Sequence, residues 1–150
     1  MDAQQYKALR EKMVEISSKQ FICIVDESKL SKQLGPKFPL PVEITPFCYA
    51  HTIRKIEQLP ALLGCKGILR RGNVGNNKCD GEEIAITDNG NYIVDLHLGA
   101  PIKIDEVITK ISSIVGVLEH GLFIDMCSSI VVGTDEGVKL IKNNDMILVN

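Results

Sequence analysis

The sequence contains no tryptophan, and its aromatic residues make up only 5% of 150 positions. So small a stock of flat rings leaves few platforms on which nucleic-acid bases could stack. A surplus of charge of one sign is lacking too: 17 Lys and Arg stand against 19 Asp and Glu, for a formal net charge of -2. Without a positive field to meet phosphates, nucleic acid is excluded as an expected partner. Also missing is any apolar run near the roughly 20 residues that a membrane-spanning helix needs. The opening MDAQQYKALREK is polar, and reads as neither a signal peptide nor an anchor. The five cysteines, Cys23, Cys48, Cys65, Cys79 and Cys127, are odd in number and scattered, with no C-x-x-C pair and no His-x-x-x-His partner. That pattern argues against a disulfide framework or a zinc site, and predicts buried thiols in a reducing, cytoplasmic compartment.

What is present in quantity is apolar residues, 45% of the chain, enough to bury the core of one domain or two small ones. Tyr6, Leu9, Met13 and Ile16 recur at helical spacing, and residues 21–25 (FICIV) form a continuous, largely β-branched run of the kind that fills a buried parallel strand. Residues 32–41 (KQLGPKFPLP) hold three prolines and a glycine, which predicts a loop and a boundary near Pro41. Beyond it, VEITP leads to a helix over residues 47–63, with Ile53, Ile56, Leu59 and Leu63 three or four apart, and then a short strand at 66–70. EEIAITDNGNYIVDLHL reads as a hairpin about Asp88-Asn89-Gly90-Asn91, residues that tolerate positive φ. A helix over 105–114, carrying Val107, Ile108, Ile111 and Ile114, precedes a strand at 117–124, and SIVVGTDEGVKLI closes the series as strand, turn, strand. The order β-α-β-β-β-α-β from residue 42 predicts an antiparallel sheet covered on one face by two helices, close to a ferredoxin-like plait. There is no internal repeat and no low-complexity segment.

FICIVDESK, FPLPVEITP, TDNGNYIVD, GVLEHGLFI and GTDEGVKLI, in this order and at this spacing, resemble the C-terminal part of type A ribose-5-phosphate isomerases. The likeness runs from about residue 9 to 141, nearly the whole chain. It implies an α/β fold: a partial Rossmann-like domain made of residues 1–41 and 129–150, with a ferredoxin-like α+β domain inserted at 42–128. It also implies the interconversion of ribose 5-phosphate and ribulose 5-phosphate in the non-oxidative pentose phosphate pathway, without metal or organic cofactor. That reaction moves a proton between C2 and C1 through an ene-diolate, so it needs a carboxylate base and groups that hold oxyanion charge. By resemblance the base is Glu11, central in Arg10-Glu11-Lys12, and the substrate-binding residue is Lys29, just past the end of the FICIV strand. A lysine there can hold phosphate or an oxyanion as a point charge.

The residues taken alone support plainer readings as well. Glu11 lies about 180° around the helical wheel from the Tyr6, Leu9, Met13, Ile16 stripe, which makes it a solvated glutamate, paired with Lys7 one turn back. Lys29 is equally an ordinary surface lysine. His120 alternates with Leu118 and Leu122 and reads as a packed histidine. Gly72, Gly75, Gly133 and Gly137 form neither a G-x-x-x-x-G-K-[ST] nor a G-x-G-x-x-G pattern and are explained by turns, while Asp80-Gly81 with Glu82-Glu83 is a solvated turn.

The chain also departs from the family. Complete members carry a Gly-Thr-Gly-Ser-Thr phosphate-binding turn, an Asp-Gly-x-Asp-Glu acidic motif and a Lys-Gly-x-Gly-Gly segment ahead of this region. None is found here, and the positions that align with the last are residues 2–5 (DAQQ). The expectation is a truncated isomerase whose exposed apolar face and strand edges lead it to dimerise, aggregate or need a missing N-terminal segment. The alternatives are a catalytically silent module that binds a phosphometabolite, and an interaction protein that uses the exposed edge.

Overall fold

The computed structural model describes residues 8–31, 38–72, 81–99, 102–142 and 148–149. Tyr6, Lys7, residues 2–5, most of the expected loop at 32–41, Gly75, Cys79 and Asp80 lie outside them. The elements are α1 (Ala8–Ser17), β1 (Ile22–Asp26), β2 (Leu30–Ser31), β3 (Leu40–Ile44), α2 (Tyr49–Glu57), β4 (Lys66–Leu69), β5 (Tyr92–His97), α3 (Ile104–Ser112), β6 (Val117–His120), β7 (Ser129–Thr134), β8 (Gly137–Lys142) and β9 (Leu148–Val149). The chain is a mixed α/β protein that divides into two units, one of residues 1–10 and 35–122, the other of residues 11–34 and 123–150. Among the described residues no helix is long and apolar enough to cross a membrane.

The first unit is built on a four-stranded sheet in the order β4-β5-β3-β6, every neighbouring pair antiparallel. Paired residues on opposite strands share a face. Leu40 sits opposite Leu96 and Val42 opposite Val94, and together with Ile44 they form one buried apolar surface. Ile56 of α2 and Val107 and Ile111 of α3 close over it, all three fully buried. α3 is amphipathic and has Asp105 and Glu106 in its first turn and Lys110 in its last, charges that suit the helix dipole. Gly67 lets α2 approach β4: a Cβ there would lie 2.9 Å from Ile53 Cγ2.

The opposite face of that sheet buries charge. Arg70 Nε donates to Asp95 Oδ2 at 2.8 Å and Arg70 Nη2 bonds Asp95 Oδ1, with both residues 2% exposed. Glu43, 1% exposed, accepts from Thr87 Oγ1 at 3.0 Å and from Asn91 Nδ2 at 2.8 Å through the same Oε1. These bonds hold the 87–91 turn, which is closed by Thr87 N–H to Asn91 O at 2.9 Å and lets Gly90 take φ 77.

Three expectations need correction. The first arm of the hairpin about Asp88-Asn89-Gly90-Asn91 is not a strand: among the described residues it consists of two isolated bridges, Arg71 with Ile84 and Ile86 with Tyr92. The helix expected over 47–63 stops at Glu57, and Pro60 opens a separate short turn, Pro60–Leu62, because proline is accepted at a helical start and not in its interior. The strand expected to reach residue 124 ends at His120, just beyond a register shift against β3 between Glu43 and Ile44.

In the second unit β1 runs parallel to β7, and β7 pairs antiparallel with β8. Phe21 fastens the start of that parallel pair: its N–H donates to Ser128 Oγ at 3.2 Å and its carbonyl accepts from Ser128 N–H at 2.7 Å. Within β1 exposure alternates, with Ile22 51% and Ile24 77% exposed while Cys23 and Val25 are partly covered. The expected buried strand is thus half buried among the described residues, one of its faces being open.

Candidate active site

Both sequence-predicted site residues fall in the second unit, Glu11 on α1 and Lys29 at the end of the turn that follows β1. Both are exposed. Neither makes a hydrogen bond or ion pair with another described residue, so both charged groups are open to solvent and to a ligand.

The turn that carries Lys29 has a local cause. Asp26 closes β1 in an extended conformation, and its Oδ1 accepts from the Ser28 N–H at 2.9 Å and from the Ser28 hydroxyl. An Asx cap of this kind starts the tight turn Glu27–Lys29 and fixes where the lysine leaves the chain. The Ser28 hydroxyl bond, with help from the Lys29 charge, holds the Asp26 carboxyl below its ordinary range. Asp26 is therefore the group that sets Lys29, and the sequence reading missed it. The D-x-S spacing at the end of an apolar strand was the available signal.

The helix that carries Glu11 is seated differently from the wheel reading. Met13 is 62% and Ile16 74% exposed, whereas Lys12 is only 7% exposed. The Lys12 ammonium lies 5.4 Å from the centre of the Phe123 ring, within range of a cation–π attraction worth about 0.5–1 kcal/mol at a surface and about 2 or more when desolvated. On the other flank of Glu11, Arg10 donates to Asp88 Oδ2 and Asn89 Oδ1, each at 3.2 Å. The Glu11 carboxylate is the exposed anion of the triplet.

Glu15, one turn beyond Glu11, is half-buried, and its Oε2 is enclosed without a hydrogen-bond partner among the described residues. Burial pushes its carboxyl above the ordinary range, the Glu11 charge adds to the rise, and Lys12 opposes it. Burial likewise pushes up the Cys23 thiol, with Cys127 and Glu15 contributing. His120 is packed, 6% exposed, its Nδ1 accepting from the Leu122 N–H at 3.3 Å. Among the described residues no three His, Cys, Asp or Glu side chains are grouped so as to hold a metal ion.

An exposed carboxylate on a helix can accept a proton, and a lysine just past the carboxyl end of a parallel strand stands where open α/β sheets bind ligands. The model of the family ribose 5-phosphate isomerase A (phosphoriboisomerase A) matches residues 3–137, and the chain belongs to that family. It is similar to the probable ribose-5-phosphate isomerase 2 of Arabidopsis thaliana, 44% identical over 134 residues that cover 88% of this chain and 48% of that protein. Among solved structures, ribose 5-phosphate isomerase from Plasmodium falciparum superposes with a TM-score of 0.82 at 35% identity, covering 92% of this chain and 57% of that one. A D-ribose-5-phosphate isomerase in complex with phospho-erythronic acid superposes with a TM-score of 0.74 at 36% identity, covering 90% of this chain and 55% of that one. The chain spans about half the length of the curated relatives it matches.

Proposed function

We propose that this chain carries the base-bearing part of an isomerase that interconverts ribose 5-phosphate and ribulose 5-phosphate. In this reading Glu11 removes the proton from C2 of the open-chain aldose to give an ene-diolate, the O2 hydroxyl proton passes to O1, and Glu11 returns its proton to C1 to give the ketose. Lys29 holds the phosphate or the developing oxyanion as a point charge. A positioned base of this kind contributes about 10² to 10⁴ in rate. The observation that carries the reading is the exposure of Glu11 between two engaged cations, in a chain that belongs to this family.

The finer architecture belongs to the same proposal. Residues 42–128 form a ferredoxin-like domain, and residues 1–41 with 129–150 are part of a Rossmann-like one. Two observations support this. The strand order of the first sheet is the one a β-α-β-β-α-β plait adopts, with both crossover helices on one face. In the second unit β1 and β7 are parallel although they come from opposite ends of the chain. The open face of β1 and the exposed apolar residues of α1 fit a chain that works as a homodimer or together with the further part that its longer relatives carry, and we place it in the cytoplasm.

The test is Glu11→Gln, which keeps size and polarity and removes the base. With ribose 5-phosphate in D₂O, the wild-type chain is expected to exchange the C2 proton and to form ribulose 5-phosphate, and the variant is expected to do neither. Full activity in Glu11→Gln would show that another group is the base. A second reading, a silent phosphometabolite-binding module, is favoured by residues 2–5 reading DAQQ where the family has Lys-Gly-x-Gly-Gly. Binding of phospho-erythronic acid without any turnover would select it.

A further inference from the structure

The three side chains of Arg10-Glu11-Lys12 meet three different surroundings. Each step along an α-helix turns by about 100°, so Arg10 and Lys12 leave the axis about 200° apart with Glu11 between them. Arg10 goes to Asp88 and Asn89, Lys12 goes beneath the helix to the Phe123 ring, and Glu11 goes to solvent. Lysine is among the residues least often buried. Yet it is buried here while Met13, Val14 and Ile16 of the same helix are 62%, 66% and 74% exposed. Turning α1 so that Met13 took the buried position of Lys12 would need about 100° of rotation, and would swing Glu11 through the same angle.

We propose that Lys12 is a positioning residue for the Glu11 carboxylate. The contact of its ammonium with the face of Phe123 sets the rotation of α1 about its axis, and with it the direction in which Glu11 leaves the helix. The inference rests on Glu11 being the base and adds a role for the lysine beside it. Lys12 is 7% exposed, whereas Glu11 is open to solvent, so the lysine acts through its neighbour. Its effect passes through the aim of its neighbour, where a misplacement of about 1 Å can cost about 10² in rate. An arginine can replace it, because a guanidinium also stacks on an aromatic face, whereas a leucine fills the space without attracting the ring's electron-rich face.

Isomerisation of ribose 5-phosphate by the full chain is measured for the wild type and for Lys12→Leu, Lys12→Arg, Phe123→Leu and Glu11→Gln, with circular dichroism to establish that each is folded. Lys12→Leu and Phe123→Leu are expected to lower kcat by about tenfold to a hundredfold with KM within about twofold, the signature of a lost transition-state geometry. Lys12→Arg is expected to restore most of kcat. A folded Lys12→Leu protein with unchanged kcat, or one in which only KM rises, overturns the proposal. If Lys12→Leu does not fold, Phe123→Leu decides in its place on the same criteria. Full activity in Glu11→Gln would remove the base assignment and leave the Lys12 result standing separately, so the two failures are distinguishable. Should turnover lie below detection, amide hydrogen exchange decides: residues 11–15 are expected to exchange about tenfold faster in Lys12→Leu and Phe123→Leu, with Lys12→Arg like wild type and β5 unchanged in all. Equal protection of α1 in all of these proteins would overturn the proposal.

Discussion

Arg70 and Asp95 form a buried, two-bonded pair on the first sheet, each 2% exposed. Removing one partner from a buried pair leaves a buried charge without its counterion, so Arg70→Met is expected to cost about 3–5 kcal/mol, while Arg70→Met with Asp95→Leu should recover most of that loss. Urea unfolding followed by near-ultraviolet dichroism reads this unit directly, through the Tyr49 and Tyr92 rings packed edge to face at 5.6 Å. Glu15 supplies a pH-dependent counterpart. Its folded-state pKa is raised above 4.5, so the folded chain holds this proton more tightly than the unfolded one. The associated stability is fully present below the unfolded value and is lost as pH rises through the folded one. Glu15→Gln mimics the protonated form at every pH, and is expected to match the wild type near about pH 4 and to be the more stable of the two at pH 7, as thermal melts at the two pH values would show. Little of this was legible in the sequence. The wheel placed Met13 and Ile16 inside because it weighs hydrophobicity alone, whereas the seat of Lys12 depends on Phe123 from a distant segment, which no local pattern reveals.

At the scale of elements the sequence was more informative, since periodicity and turn chemistry are local. The helices about Ile56 and Val107, the strands VEI and YIVDLH, and the Asp88-Asn89-Gly90-Asn91 turn all lie where spacing and turn residues put them. The misses occurred where tertiary packing or a single residue overrode a pattern. Pro60 cut a continuing apolar period, and the 82–87 segment, although rich in strand-forming residues, makes isolated bridges instead of a ladder. The connection from α3 to β6 was not singled out, although it depends on one glycine. Gly116 takes φ 100, its carbonyl accepts from the Thr45 N–H at 2.9 Å, and a Cβ there would lie 2.6 Å from Thr52 Oγ1. Gly116→Ala should therefore lower the stability of this unit by about 1–3 kcal/mol from backbone strain alone, with the clash adding to it. A smaller loss in denaturant melts than in the Arg70→Met protein would fit this, and no loss would show that the turn can relax.

For the molecule as a whole, the order of motifs disclosed the family, while the condition of the second unit became visible only in three dimensions. Ile22 and Ile24 on β1, Val138 and Leu140 on β8, and Met13, Val14 and Ile16 on α1 leave apolar surface open in a chain whose matched relatives are about twice as long. Exposed apolar surface of this kind seeks a partner. At tens of micromolar the 16.5 kDa chain is expected to sediment as a dimer or larger species, and Ile24→Lys should shift it toward monomer without lowering its melting temperature. A sharp monomer for the wild type across that range would count against the proposed association.

The parallel pairing of β1 with β7 also sets a timetable. Phe21 and Ser128, which fasten that pair, are 107 residues apart in the chain, and the whole of the first sheet is encoded between them. At about 5–20 residues per second of synthesis, β1 waits roughly 5–20 s for its neighbour to be made. During that interval the first sheet can complete, since all its strands lie between the two halves of the pair. By folding, it draws the ends of a long loop together and lowers the entropy of closing it. A nascent chain is therefore most vulnerable to unwanted strand pairing in the seconds before β7 is made, when FICIV has been synthesised and the edge that β7 will cover is still open.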